Sequence, residues 1–222
     1  MSATPDILQW WLTTNARFDD CRTPEELFAE TARQVRSLGF ERFAHGRRPR
    51  LPFSQARTRF NGNYPADWRD DTGASTTLRP GLLIWDRYGQ APGDLREHGY
   101  ASGATCIQRG ADGAWQLLCV ARRKGSIKSR ELLPLKLQLR SLLELLDEHL
   151  QRVEGLPPKI ILSERETQIL RWIADGKCSK GIAGILELSE HTVNFHIKSI
   201  LRKFDSPNRV LAAAHAAALG LI

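Results

Sequence analysis

The chain has 222 residues, of which 41% are hydrophobic and 8% aromatic, and it carries 32 Lys and Arg against 25 Asp and Glu. This composition is typical of globular proteins and excludes intrinsic disorder and fibrous repeats. The formal net charge of +7 favours anionic partners such as nucleic acid, although charge alone is weak evidence. The length allows one large domain or two smaller ones, and we expect two.

The chain shows no pattern of a membrane or secreted protein. Its longest uncharged apolar run, Val210–Ile222, is interrupted by His215 and is shorter than the roughly 20 helical residues that cross a bilayer. No basic start followed by an apolar stretch is present, so we expect a cytoplasmic protein without a membrane partner. The cysteines are scattered without a CxxC pair, which predicts reduced thiols, no metal site and no disulfide; they are Cys21, Cys106, Cys119 and Cys178.

Helical and extended patterns alternate in the first part of the chain. Helices are predicted near Pro5–Thr14 and over Pro24–Leu38, the second because Thr23 precedes Pro24 and Glu26 in an N-capping arrangement. The glycine- and proline-rich segment Asp70–Gly99 predicts mostly loop. Short apolar segments bounded by turn residues predict an antiparallel sheet, and hence an α/β/α sandwich; they are Phe40–Gly46, Phe53–Phe60, Thr105–Arg109 and Trp115–Arg122.

A leucine-rich helix ends this first part. Leucines recur at steps of three and four over Leu135–Arg152, which predicts one amphipathic helix. Two uses of its apolar face suit this spacing, namely packing on the sheet of its own chain and contact with a second subunit. The Pro157-Pro158 pair then prevents the helix from continuing. We therefore expect a first domain over residues 1–153, a linker over 154–160 and a second domain over 161–222.

The second domain is predicted to contain four short helices. The connection between the second and third, Glu187-Leu188, is short enough to force a sharp crossing, which is typical of a helix-turn-helix. The predicted helices are Arg165–Ala174 after a Ser163/Glu166 capping box, a helix capped by Ser179 that runs to Leu186, Glu190–Phe204 capped by Ser189, and a last helix that starts at Pro207. The whole chain is thus predicted to be α+β, a sandwich followed by a four-helix helix-turn-helix domain.

The third of these helices carries side chains suited to a DNA duplex. Asn194 and Lys198, four residues apart, share an outer face from which both can reach base edges in a major groove. The other side chains assigned to the DNA interface lie on the outer faces or are placed to contact phosphates; they are Lys180, Thr192, Phe195, His196, Arg202 and Lys203. Alternatively these charges only solvate an exposed face, because from Lys159 onward nine Lys and Arg exceed six Asp and Glu by only three.

Over about sixty residues the second domain resembles the DNA-binding domain of the LuxR family of bacterial transcription regulators. The matching positions keep the family's order and spacing; they are Ser163–Glu166, Leu170, Asp175–Ser179, Ile182-Ala183, Leu188–Ile197, Leu201–Phe204, Asn208-Arg209, Ala212 and Leu219–Ile222. The resemblance implies a third helix that reads DNA and a last helix that pairs two domains. The implied partners are a second copy and double-stranded DNA with a two-fold-symmetric site, with RNA polymerase and other LuxR-type regulators as further candidates. Gly181 replaces the family's Glu, which should cost the second helix about 1 kcal/mol relative to Ala.

The first domain resembles the quorum-sensing branch of the same family, in which this domain binds acyl-homoserine lactones. The segments Phe43–Gly46, Asn63–Trp68 and Gly99–Gly103 stand in the family's order, with Trp85 between the last two. The resemblance implies that Trp68 donates its indole N–H to the lactone carbonyl and that Trp85 lines the pocket. We add Tyr64 and Asp70 to this candidate set. Plain core packing is the alternative for each tryptophan.

Departures from that branch concern the ligand contacts. Thr72 stands where the family has a Tyr that binds the acyl carbonyl, and no Asp-Pro motif lies between Trp68 and Trp85, which are unusually close in sequence. The sequence thus predicts a dimeric transcription regulator that is independent of lactone or binds an altered ligand, with no other cofactor. The alternatives are a true receptor for a lactone or another small hydrophobic signal, and a module that pairs with other regulators and blocks them. An enzyme is not expected, since Cys106, Cys119 and His98 form no motif with catalytic spacing.

Overall fold

The computed structural model describes residues 7–51, 57–64, 78–86, 98–110, 112–155 and 160–222. The chain divides between residues 156 and 157 into two compact units. The first unit combines helices with a sheet and the second is helical, which confirms the predicted α+β class.

The described residues of the first unit form a five-stranded antiparallel sheet. Its strands are β1 (Arg42–Arg48), β2 (Arg59–Gly62), β3 (Gly81–Asp86), β4 (Ser102–Arg109) and β5 (Trp115–Arg122), and its helices are α1 (Ile7–Asp19), α2 (Pro24–Ser37) and α3 (Ser129–Glu154). The strand order is β2-β1-β5-β4-β3, so β5 lies at the centre between β1 and β4. The last strand of the chain therefore joins the two halves of the sheet.

The two faces of the sheet have different partners because side chains alternate along each strand. On one face Phe43, Ala104, Leu118 and Val120 belong to a buried cluster that also holds the apolar side chains of α1, α2 and α3. The opposite face carries a separate buried cluster of Ala44, Tyr64, Trp85, Tyr100, Cys119 and Ala121. We call this second cluster the aromatic face.

The leucine-rich helix α3 is mainly a core helix. Leu139, Leu142 and Leu146 are fully buried, which supports packing within the chain. Leu133 and Leu137 remain exposed, and contact of such residues with a second subunit stays a prediction. The helix starts six residues before the predicted Leu135, because Pro134 lies within it rather than ahead of it.

Other predicted bounds in the first unit differ from the observed ones. The helix α1 continues five residues beyond Thr14 to Asp19, and residues 53–56 of the predicted strand Phe53–Phe60 lie outside the described part. The strand β3 was predicted as loop, which was wrong. Its apolar run Leu82–Trp85 is a strand signal, but the glycines and prolines around it concealed that signal.

The described residues of the second unit, 160–222, form four helices, in agreement with the sequence. They are α4 (Glu164–Ala174), α5 (Ser179–Leu186), α6 (Glu190–Lys203) and α7 (Arg209–Ala218). The capping box at α4 is present, since Ser163 Oγ accepts from Glu166 N at 3.2 Å and Glu166 Oε2 accepts from Ser163 N at 2.7 Å. At α6, Ser189 Oγ accepts from Thr192 N at 3.0 Å, as predicted.

Two predicted start signals in the second unit were wrong. The N-cap of α7 is Asn208, whose Oδ1 accepts from Leu211 N at 2.9 Å, so Pro207 lies before the helix. The N-cap of α5 is Cys178, which forms no side-chain capping bond. Ser179 is instead the first helical residue, and its hydroxyl donates to Asn194 Oδ1 on α6.

The turn between α5 and α6 produces the helix-turn-helix crossing. Glu187 adopts a left-handed conformation with φ 55°, and Leu188 N–H donates to Ala183 O at 2.9 Å. The two helices share a core with α4 and α7, in which Ile182, Val193 and Ile200 are almost fully buried. The outer side of α6 is thereby left for other contacts.

Gly181 lies inside α5, and we expect Gly181→Ala to stabilise the second unit by about 1 kcal/mol. A Cβ there would have only ordinary contact, with Cys178 Sγ at 3.8 Å. The gain in the free energy of unfolding is measured by urea unfolding, with hydrogen exchange of the α5 amides as the readout. As a control, Gly176→Ala should destabilise the unit, because Gly176 has φ +82°. Equal effects of the two substitutions would refute this reading of Gly181.

Candidate nucleic-acid interface and aromatic face

One side of α6 is exposed along its whole length. His191, Asn194, Phe195, Lys198 and Arg202 are all exposed, whereas Val193, Ile197 and Ile200 on the other side are buried. Each of these exposed residues has another member of the set three or four positions away, so they form a continuous surface, which we call the reader stripe. It combines an amide, an aromatic ring and positive charges, a combination suited to base edges and phosphates.

Asn194 is held by a side chain of the neighbouring helix. Ser179 Oγ donates to Asn194 Oδ1 at 2.8 Å, which joins the first turn of α5 to the reader stripe. A fixed amide loses less conformational freedom on binding than a mobile one. This role of Ser179 was not predicted, because no sequence signal connects positions 179 and 194.

Lys203 points back into its own unit. Its Nζ donates to Glu166 Oε2 at 2.7 Å and to Ile161 O at 2.8 Å. These bonds occupy two of the three N–H donors of the ammonium, and the phosphate contact of Lys203 stays a prediction. A structural role in tying the end of α6 to the start of α4 fits these contacts.

The carboxylate of Glu166 accepts the hydrogen bonds that connect these two helices. Its side chain is 5% exposed, and Ser199 Oγ donates to its Oε1 at 2.9 Å in addition to the bonds from Ser163 N and Lys203. Burial raises the pKa of Glu166, but the hydrogen bonds from Lys203, Ser163 N and Ser199 outweigh this effect and lower the pKa from 4.5 to about 2. Glu166 is therefore an anion at neutral pH, with three donors fixed around it.

The remaining predicted DNA contacts differ in exposure. Lys180, Lys198 and Arg202 are exposed, so their charges can reach a duplex. Thr192 is half-buried and shares a 2.8 Å hydroxyl bond with Ser189 at the start of α6. His196 is half-buried and lies edge-on to Phe195, with 5.7 Å between the ring centroids.

Two of the four predicted ligand residues lie together on the aromatic face. Trp85 is 3% exposed, and Gly103 on the adjacent strand makes room for its ring, since a Cβ at that position would overlap it. Tyr64 is 7% exposed and lies in the same cluster. Trp68 and Asp70 fall outside the described residues.

The indole N–H of Trp85 is buried without a hydrogen-bond partner in the described part of the chain. A buried donor left unpaired costs about 1–3 kcal/mol. The aromatic face thus offers a directed donor within an apolar surface, which is the usual composition of a small-molecule pocket.

The two cysteines of the sheet that were considered as nucleophiles, Cys106 and Cys119, are buried. Burial raises the pKa of Cys119 to about 12 and that of Cys106 to about 11, so both thiols are protonated and poor nucleophiles at neutral pH. Within the described ranges, no group of three or more His, Cys, Asp or Glu side chains could hold a metal ion. Among the helices described, none has the length and apolar character of a membrane span.

One chain thus combines a helix-turn-helix unit with an exposed polar stripe and a unit with a sheet and an aromatic cluster, a composition typical of ligand-sensing DNA-binding regulators. A family model described as bacterial regulatory proteins, luxR family, matches residues 160–216, and one described as autoinducer binding domain matches residues 23–74. The chain belongs to the LuxR family. It is a quorum-sensing type of transcription regulator and not an enzyme.

Relatives match along almost the whole chain. The quorum-sensing regulator RhlR of Pseudomonas aeruginosa is 37% identical, over 97% of this chain and 98% of its own length, and the regulatory protein SdiA of Escherichia coli is 34% identical over 98% of each. The crystal structure of SdiA has a TM-score of 0.77 at 31% identity, covering 98% of this chain and 99% of SdiA. A structure of SdiA in complex with octanoyl-rac-glycerol has a TM-score of 0.74 at 31% identity, covering 97% and 96%.

Proposed function

We propose that this regulator acts as a homodimer that binds a two-fold-symmetric DNA site, with α6 of each copy in a major groove. The observation that carries this proposal is the reader stripe, which is exposed over the full length of a helix whose opposite side is packed. Helix-turn-helix dimers read half-sites whose centres lie about 10 base pairs apart, or multiples of that spacing. The second copy supplies the second α6.

The helix α7 offers a surface for pairing two copies. Ala212, Ala213 and Ala216 point into the core, whereas Val210 is 68% exposed and Ala217 is also exposed. Small side chains on an outer face let a second helix approach closely. Binding to RNA polymerase and to other LuxR-type regulators stays a prediction from the family resemblance. We assign no surface of this chain to either partner.

Selection of bound fragments from a random DNA pool by the full-length protein tests the proposal. The expected result is an enriched inverted repeat with the half-site spacing given above, bound by two copies of the chain. Failure to enrich any sequence, or enrichment of an asymmetric site bound by one copy, would contradict it.

We propose further that the aromatic face receives a small molecule with an apolar tail and an acceptor oxygen. The unpaired Trp85 N–H supports this, because an acceptor from the ligand would satisfy it. The departures in sequence argue against an unchanged acyl-homoserine lactone contact set. Octanoyl-rac-glycerol, which SdiA binds, has an acyl chain and ester oxygen without a lactone ring, and is therefore a suitable probe beside a lactone.

Trp85→Phe removes the N–H and keeps an aromatic ring, and we expect it to weaken ligand binding about tenfold, the value of one hydrogen bond. Thermal shift measures this, since a ligand at 100 times its Kd stabilises the folded state by about 2.7 kcal/mol. The probes are N-octanoyl homoserine lactone and octanoyl-glycerol. Trp172→Phe, in the second unit, is the matched control and should bind like the wild type.

The competing reading is a regulator that needs no ligand. No thermal shift with either probe, together with the same DNA affinity in their presence and absence, would favour that reading over the pocket. Equal ligand affinity of the wild type and Trp85→Phe would show that the indole N–H is not a ligand contact.

A further inference from the structure

Phe195 is the only apolar side chain among the five residues of the reader stripe. It is 62% exposed, although phenylalanine is among the residues most often buried in proteins. His191 lies one turn before it and Lys198 one turn after it on the same side of α6. Phe195 thus lies in the middle of a polar and positively charged surface.

The core of the second unit does not use this side chain. On the buried side of α6, Val193, Ile197 and Ile200 pack against the other helices, and Phe195 is not part of this core. The ring contact of Phe195 that the structure shows is with its neighbour His196, at 5.7 Å between centroids. The positive charges beside it favour an anionic partner, and on the function proposed above that partner is the major groove of DNA.

The major groove offers one apolar group, the C5-methyl of thymine, and otherwise presents hydrogen-bond donors and acceptors. A phenyl ring can satisfy none of these polar groups and removes water from those it covers, at a cost in free energy. The ring is therefore best placed against a thymine methyl. We infer that Phe195 is a specificity-determining residue that recognises a thymine methyl in each half-site, an inference that rests on the proposed DNA binding.

The test replaces each thymine of the selected DNA site in turn by deoxyuridine, which removes the methyl and leaves every hydrogen bond in place. Affinities are measured for the wild type, Phe195→Ala and Phe195→Leu. The control is Ile161→Ala, which truncates another exposed apolar side chain, 74% exposed and outside the reader stripe. Circular dichroism checks that each variant is folded. We expect folding to be retained, because both side chains are exposed.

At one thymine per half-site we expect the wild type and Ile161→Ala to lose about fourfold in affinity for each methyl removed, the value of burying one such group. Phe195→Ala should bind thymine and deoxyuridine sites equally, and Phe195→Leu should keep part of the difference. If no position shows a methyl effect that depends on Phe195, while the wild type still prefers the selected site to random DNA, the inference is wrong and the proposed function stands. If the wild type shows no such preference, both are wrong.

Discussion

Glu166→Gln is expected to lower the free energy of unfolding of the second unit by about 2–3 kcal/mol at neutral pH. The substitution keeps the shape of the side chain but removes the charge that Lys203, Ser199 and the Ser163 N–H all bind. Lys203 keeps the Ile161 carbonyl and is 36% exposed, so water compensates part of the loss. The difference is measured by urea unfolding of the full chain, with hydrogen exchange of the α4 and α6 amides as the readout.

The same carboxylate makes the stability depend on pH in a defined direction. The pKa of Glu166 is lowered from 4.5 to about 2 in the folded chain. The carboxylate therefore makes its full contribution to the free energy of unfolding above pH 4.5, and this contribution is lost as the pH falls towards 2. The wild type should therefore lose this increment in acid, and Glu166→Gln should not. Glu164→Gln, an exposed position in the same turn, is the control. An equal acid loss in the wild type and Glu166→Gln would contradict the assignment.

Asn194→Ala and Lys198→Ala should each cost about 1–3 kcal/mol of discrimination at particular base pairs, with little effect on binding to random DNA. The reason is that both side chains lie on the reader stripe and carry groups that match base edges. Titration of the selected site and of single base-pair variants, at fixed salt, identifies the pairs affected. If either substitution weakens cognate and random DNA equally, its side chain does not read bases.

Arg202→Ala is the control for a phosphate contact. It should weaken binding to all sequences and reduce the slope of log affinity against log salt by about one. Lys203→Ala separates the two accounts of that residue. The sequence predicted a phosphate contact, whereas its bonds to Glu166 and Ile161 favour a loss of stability with an unchanged salt slope.

The parts of this fold that the sequence predicted correctly depend on local interactions. The Ser163/Glu166 box and the Ser189 cap were recognisable because each bond spans three residues. The periodicity of α3 and α6 separated their buried from their exposed sides for the same reason. By contrast, β3 pairs with β4 across a large separation in sequence, and the local abundance of glycine and proline outweighed its apolar run.

The site was predictable in composition but not in its connections. The sequence identified Asn194 and Lys198 by their helical spacing and Trp85 by the family resemblance. It did not show that Ser179 holds Asn194, or that Lys203 is bound to Glu166, because these bonds join residues 15 and 37 positions apart. Such contacts depend on how the helices cross, which no local pattern encodes. The sharing of one sheet face by Tyr64 and Trp85 likewise depends on strand register.

Methylation footprinting of the selected DNA site by dimethyl sulfate tests most directly whether α6 lies in the major groove. This reagent methylates guanine N7 in the major groove and adenine N3 in the minor groove, so it reports on both. We predict that guanine N7 is protected in both half-sites and that adenine N3 reacts as in free DNA. Protection confined to adenine N3, or no protection of guanine N7 on DNA that the protein occupies, would contradict the placement of the reader stripe.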